Sequence, residues 1–371
     1  MLAGAQLFAL TPAEKAIQQA TEKVSRQPEN PEYYNQLAMA FARRARETSD
    51  VAFYTKAEET LRHSFQLAPD NFEGLKTQAW LELGRHEFAK ARATAQKLNK
   101  IAPDDVSVYG YLVDANVELG NYDDALHAAQ WMLDLRPGNT AGLVRAAYLR
   151  ELHGNLDGAL ELMQMAYDSE PLSETEDRAW LLTQMAHLEW VGGHLPKAEE
   201  YAASALNVFP NYHYALATMA QIRTAQNRYE DAVTLLAQRY HEAPHAENLY
   251  ALAEAQEKAG KHDAAQRSFA KFADESRAES AIADNSNREL IFYYVDYARQ
   301  PEKGLDLARQ ELSRRHDVYT FDAYAWALAA NGRLADAAAG IQKALATGLK
   351  DPKVLAHAQA IAHRMDDKPG L

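Results

Sequence analysis

Gly120-Asn121-Tyr122-Asp123-Asp124-Ala125-Leu126, running on through Ala129 to Pro137-Gly138-Asn139, is the stretch whose reading decides the fold. Gly120 suits the left-handed residue that closes a first helix, and Asn121 or Asp123 can cap a second one. Pro137 cannot continue that second helix, and Asn139 beyond it can cap the next. The arrangement recurs. Proline falls at Pro69, Pro103, Pro137 and Pro171, each 34 residues after the last. After a five-residue slip, Pro210 and Pro244 are again 34 apart. Ala57, Ala91, Ala125, Ala159, Ala198 and Ala232 each lie 12 residues before one of these prolines. Gly154, Gly193, Gly260 and Gly332 take the place of Gly120 in their own periods. Small residues at spacings of four and three, as in Ala198, Ala202 and Ala205, let paired helices approach closely. A fixed period of this length is the mark of a repeat architecture, in which no single hairpin buries its apolar face alone.

In these residues the chain resembles the tetratricopeptide repeat family. Its first-helix small residue corresponds to Ala38, Ala79, Val113, Ala147, Ala186, Ala220, Ala253 and Ala325. Its turn glycine and the aromatic after it correspond to Gly120 and Tyr122. The resemblance implies an all-α superhelix, a solenoid of stacked antiparallel helix pairs, with first helices on the concave side and second helices outside. About nine pairs are expected over residues 31–349, the eighth degenerate because Gly304 replaces the alanine and no terminal proline follows. Residues 1–30 read as an N-terminal segment with a lone helix, and 350–371 as a capping helix and tail. Two departures interrupt the period. About seven extra residues fall around Glu47–Ala52, where they are expected between helices, and the acidic Ser173–Asp177 reads as a solvated loop between hairpins.

Carrying the family's groove positions onto this chain places Trp80, Asp114, Tyr148, Trp180, His187, Trp190, Tyr214, Tyr250, Tyr293, Tyr297 and Trp326 on the concave wall. Tyr148 is expected beside His187 and Trp180 beside Tyr214, forming a central aromatic patch with Trp190. Tyr293, Tyr297, Tyr319 and Trp326 form a second patch, and acids interleave both. Exposed aromatics offer large contact area at small entropy cost, the usual make-up of binding hot spots. The alternative is that side chains such as Trp190 pack against the neighbouring helix.

Composition narrows the function. The 371 residues carry 52 acids against 39 bases, a net charge of −13. That surface repels phosphate backbones and anionic lipid, so the expected partner is a protein or peptide segment, basic or neutral with apolar anchors, and not a nucleic acid. The absence of cysteine excludes disulfides, cysteine-based zinc sites and thiol catalysis. No apolar run approaches the ~20 residues that span a bilayer. The apolar Met1–Leu10 lacks a basic region and reads either as the remnant of an export signal or as an unstructured start, which leaves cytoplasm and export both open. His241-Glu242-Ala243-Pro244-His245 matches a zinc-protease string, but Pro244 breaks the helix that would carry both histidines. No nucleophile elbow, dinucleotide fingerprint or phosphate loop occurs. No catalytic residue, metal or cofactor is therefore expected, and the leading reading is a non-enzymatic scaffold that holds a peptide in its groove. A small-molecule or glycan-binding solenoid, possibly exported, is the alternative. A helical enzyme using Asp114 and Glu151 has nothing in the spacing to favour it, and self-association can coexist with any of these.

Overall fold

The computed structural model describes residues 10–48, 50–281 and 283–366, which fold as helices stacked in pairs. Residues 1–9, most of the possible export remnant, lie outside this range. A lone α1 (Pro12–Arg26) is followed by α2 (Pro31–Thr48) with α3 (Ala52–Leu67), and α4 (Phe72–Gly84) with α5 (Phe88–Ile101). Next come α6 (Val106–Glu118) with α7 (Tyr122–Leu135), and α8 (Thr140–Leu152) with α9 (Leu156–Ser169). The middle holds α10 (Thr175–Val191) with α11 (Leu195–Val208), and α12 (His213–Ala225) with α13 (Tyr229–Glu242). Then come α14 (Ala246–Lys258) with α15 (His262–Glu279), and α16 (Asn287–Phe292) with α17 (Pro301–Leu312). The chain closes with α18 (Val318–Ala330), α19 (Leu334–Leu345) and α20 (Pro352–Asp366). The short α16 runs on into a π-turn over Tyr293–Tyr297.

The local chemistry explains the punctuation. Asn71, Asp105 and Asn139 each cap the following helix by accepting a backbone N–H, from Gly74, from Ser107 and Val108, and from Gly142. At the hairpin corners Gly120 and Gly154 take φ of 73° and 72°, where a side chain is strained. His86, Asn227 and Arg299 hold the same left-handed corner without being glycine. The repeating alanines Ala57, Ala91, Ala125, Ala159, Ala198 and Ala232 are fully buried where paired helices meet. A larger residue there would overpack the contact at a cost of about 1–3 kcal/mol.

Contacts between distant repeats draw the stack in on itself. The two departures from the period each lengthen a helix, and they meet. Of the first, around Glu47–Ala52, part extends α2 to Thr48 while Asp50 and Val51 lie between the helices as expected, and Ser173–Asp177 leads into a lengthened α10. Arg43 pairs with Glu174 and Asp177, and Arg46 pairs with Glu176 and Asp177. Tyr212 Oη also donates to Glu176, and His213 Nε2 lies 3.2 Å from the Arg46 carbonyl. The reading of Ser173–Asp177 as a solvated loop is thus corrected, for the Glu176 side chain is 0% exposed. Burial alone would lower the Arg46 pKa, but Glu176 and Asp177 outweigh it and raise it.

A second joint seals the other side. The His316 N–H donates to the Glu118 carbonyl at 2.9 Å, and the Val318 N–H donates to Tyr122 Oη at 3.0 Å. Arg315 reaches His86 at 3.2 Å and Glu118 at 3.5 Å. A Cβ on Gly120 would sit 2.6 Å from the His316 carbonyl oxygen, and one on Gly154 would sit 2.4 Å from that of Gly348. The corners of the second, third and fourth hairpins therefore dock onto the chain around residues 284, 315–318 and 348. One core cluster accordingly joins Val113, Leu149 and Leu152 to Ala253, Leu290 and Ala325.

Candidate binding cavity

Closing the stack turns the concave face into a cavity of about 850 Å³. Side chains of α8, α10, α12, α14, α16, α18 and α20 line it, with Glu118 added from α6 and Leu236 and Arg239 from α13. Of the residues expected on the concave wall, Tyr148, His187 and Trp190 share this lining. Trp190 lies 5.8 Å from the His187 ring, centroid to centroid. His187 Nε2 is 2.9 Å from Glu151 Oε1. Burial opposes charge on this imidazole, but the hydrogen bond and charge of Glu151 prevail and raise its pKa.

The remaining expected residues serve packing or pairing. Trp180 and Tyr214 pack against the core of the fourth to sixth pairs, and Trp80 packs against that of the first three. Tyr250 is 3% exposed, with its ring 5.0 Å from Phe272. Tyr293 and Tyr297 lean on Phe269, at 5.7 and 4.1 Å. Trp326 stacks on His357 at 4.3 Å and donates its indole N–H to Asp296 at 2.8 Å. Asp114 receives both arms of Arg145, at 2.8 and 2.6 Å. Glu151 is held by His187 rather than facing Asp114. Trp131, on the second helix α7, is 53% exposed.

The polar residues of the cavity stood out less in the sequence. Glu118, Glu254, Glu289, Tyr319 and Asp322 fall on first helices, at positions the repeat register assigns to the groove. Arg239 does not, because it belongs to a second helix, and Arg288 falls one residue before a groove position. Glu118 has its pKa pushed up to about 7, by burial first and then by the Asp317 carboxylate, against the pull of Arg315 and Arg288. Asp322 accepts from His357 Nδ1 at 2.9 Å. In the protease-like string, α13 ends at Glu242 and His245 begins the next helix, so the two histidines do not share a helix face.

These features define a class: an all-α solenoid of stacked antiparallel hairpins, a fold that generally serves as a non-catalytic scaffold for protein interactions. The tetratricopeptide repeat family matches residues 111–174. The same hairpin runs through the rest of the stack, so the fold is that of a tetratricopeptide-type solenoid. No curated protein matches it in sequence. Among solved structures it is similar to the APC/C hetero-tetramer Cut9-Hcn1, at 12% identity and a TM-score of 0.55. That match covers 94% of this chain but 58% of the other, so this chain spans little more than half that relative's length. It is also similar to the human IFIT1 dimer with PPP-AAAA, at 12% identity and a TM-score of 0.54, over 98% of this chain and 97% of that one. At such identities the likeness is one of fold. Among the described residues no helix is long and apolar enough to cross a membrane.

Proposed function

We propose that this chain is a non-enzymatic scaffold that holds a segment of another protein in its central cavity. The observation that carries this reading is the make-up of the lining. Arg239, Lys258, Arg288 and Lys353 face Glu118, Glu254, Glu289, Asp322 and Asp351 across rings of Tyr148, Trp190, Phe292 and Tyr319. Balanced charges beside aromatic surface suit a polypeptide, which presents both signs and apolar side chains within a few residues. The acidic exterior favours a segment that is basic or neutral overall. Nucleic acid needs an excess of cations along its track, and here acids match the cations. Glycan binding by stacked tryptophans has less support, since Trp190 is the tryptophan that lines the cavity.

The test is selection of displayed peptides on the full chain, followed by calorimetry with wild type and Ala217→Trp. Ala217 lines the cavity, so the indole would occupy the peptide's space. The expected result is at least about a tenfold loss of affinity, the effect of forfeiting one well-packed anchor, with an unchanged melting temperature. Peptide binding that ignores this substitution, or single-stranded RNA binding more tightly than any selected peptide, would overturn the proposal.

A further inference from the structure

Several arginines of this chain are closely engaged. Arg145 grips Asp114 with two short hydrogen bonds, and Arg85 reaches Glu58 through two nitrogens at 3.0 and 3.1 Å. Arg239 and Arg288, both on the cavity wall, are not. Arg239 is 11% exposed, its one carboxylate contact is Glu247 at 3.5 Å, and its Nε is buried without a partner. Arg288 has a carboxylate oxygen, from Asp317, at 3.8 Å, beyond hydrogen-bonding range. Its guanidinium otherwise faces the Tyr319 ring at 5.7 Å. A guanidinium carries five N–H donors in a fixed fork; Arg239 leaves a buried donor unused, which is costly, and Arg288 stands on the cavity wall with its side chain 35% exposed. Burial lowers the Arg239 pKa against the pull of Glu247, Tyr214 and Glu289. Lys258 and Lys353 line the same cavity, and among the described residues neither has a carboxylate within ion-pair range.

We propose that Arg239 and Arg288 form the anchor for an oxyanion, a carboxylate or a phosphate, carried by the ligand of this cavity. Planar oxyanions match the guanidinium fork in two-point contact, which an ammonium cannot provide. The neighbouring acids Glu247, Glu289, Glu118 and Asp317 offset the charge of the two forks. The contacts of Glu247 and Asp317, at 3.5 and 3.8 Å, are long enough to leave the donors available. The anchor rests on the reading that this cavity is the binding site. It does not depend on whether the ligand is a protein segment, so the two ideas can fail separately.

The test uses the full chain and two probes, inorganic phosphate and succinate, titrated at constant ionic strength against chloride while the melting temperature and the binding heat are followed. At least one probe is expected to bind, and the one that does identifies the source as phosphate or carboxylate. Arg239→Gln and Arg288→Gln are each expected to weaken it by about tenfold or more, the usual effect of losing a hydrogen bond to a charged group. Because an arginine substitution can disturb folding, Ala251→Glu serves as the second variant. It places a carboxylate on the cavity wall, one turn along α14 from the Glu247 that contacts Arg239, and is expected to abolish the probe response while leaving the fold intact. No binding of either probe, or a response unchanged in all three variants, would overturn the anchor. Oxyanion binding without any peptide binding would keep the anchor and sink the scaffold reading, whereas the reverse would do the opposite.

Discussion

Replacing Arg46 with methionine cuts the joint between the lengthened α2 and the lengthened α10. Arg46 touches both Glu176 and Asp177, and its backbone carbonyl receives His213. The Glu176 side chain is 0% exposed, and without the guanidinium it keeps Tyr212 as its hydrogen-bond donor but has no opposite charge beside it. Removing one partner of a buried ion pair costs about 3–5 kcal/mol, most of it the burden of the charge left behind. Arg46→Met combined with Glu176→Gln removes both charges and is expected to cost less than half of that, giving a coupling of about 2 kcal/mol or more in a double-mutant cycle. Because repeat proteins need not unfold as one unit, the assay is hydrogen exchange on α2, α10 and α12 together with denaturant unfolding. Faster exchange confined to these three helices in Arg46→Met, restored in the double variant, is the expected pattern. Exchange and stability within about 0.5 kcal/mol of wild type, the range of an ordinary surface substitution, would refute the buried joint.

Two further outcomes follow from the same contacts. Gly154→Ala meets the Gly348 carbonyl oxygen at 2.4 Å, whereas Gly193→Ala, at a similar positive φ, meets nothing within 4 Å. Thermal melts should therefore show the Gly193 variant losing about 1–2 kcal/mol, the left-handed cost alone, and the Gly154 variant losing more; equal losses would contradict docking of that corner. Burial holds His213 neutral with a pKa lowered to about 4. The unfolded chain takes up this proton near the ordinary value of about 6.5 and the folded one only near 4, so stability present above pH 6.5 drains away as the pH falls toward 4. The contribution is about 3 kcal/mol. His213→Gln, whose amide can still donate to the Arg46 carbonyl, should show a flatter acid limb in pH-dependent unfolding; parallel curves would contradict the assignment.

The hairpin stack was legible because its determinants are local and repeated. A proline, a corner residue with positive φ and a buried alanine recur through most of the periods, and each has one physical meaning. The closure was not legible. Arg46 and Glu176 lie in different hairpins, and what marks them in the sequence is that each sits beside an interruption of the period. Such interruptions read equally well as loops. The cavity suffers from the same gap. Family positions point to a concave wall, yet packing between turns buries Tyr250 and ties Trp326 to Asp296 and His357. Arg239 enters the cavity from a second helix, where register alone assigns residues to the outside. Tyr148, His187 and Trp190 do line the cavity, from α8 and α10.

The central claim is that the first and fifth hairpins touch, and it can be measured as a distance. The chain has no cysteine, so Val51→Cys with Ser173→Cys gives two unique spin-label sites flanking the Arg46–Glu176 joint. Both residues are exposed and neither takes part in the ion pairs. The account predicts a narrow pulsed-EPR distribution centred at roughly 20 Å, a few residue spacings at 3.8 Å each. An open solenoid, with successive helix layers 8–10 Å apart, would separate the same sites by about 40 Å, and a broad distribution near that value would contradict the closed form.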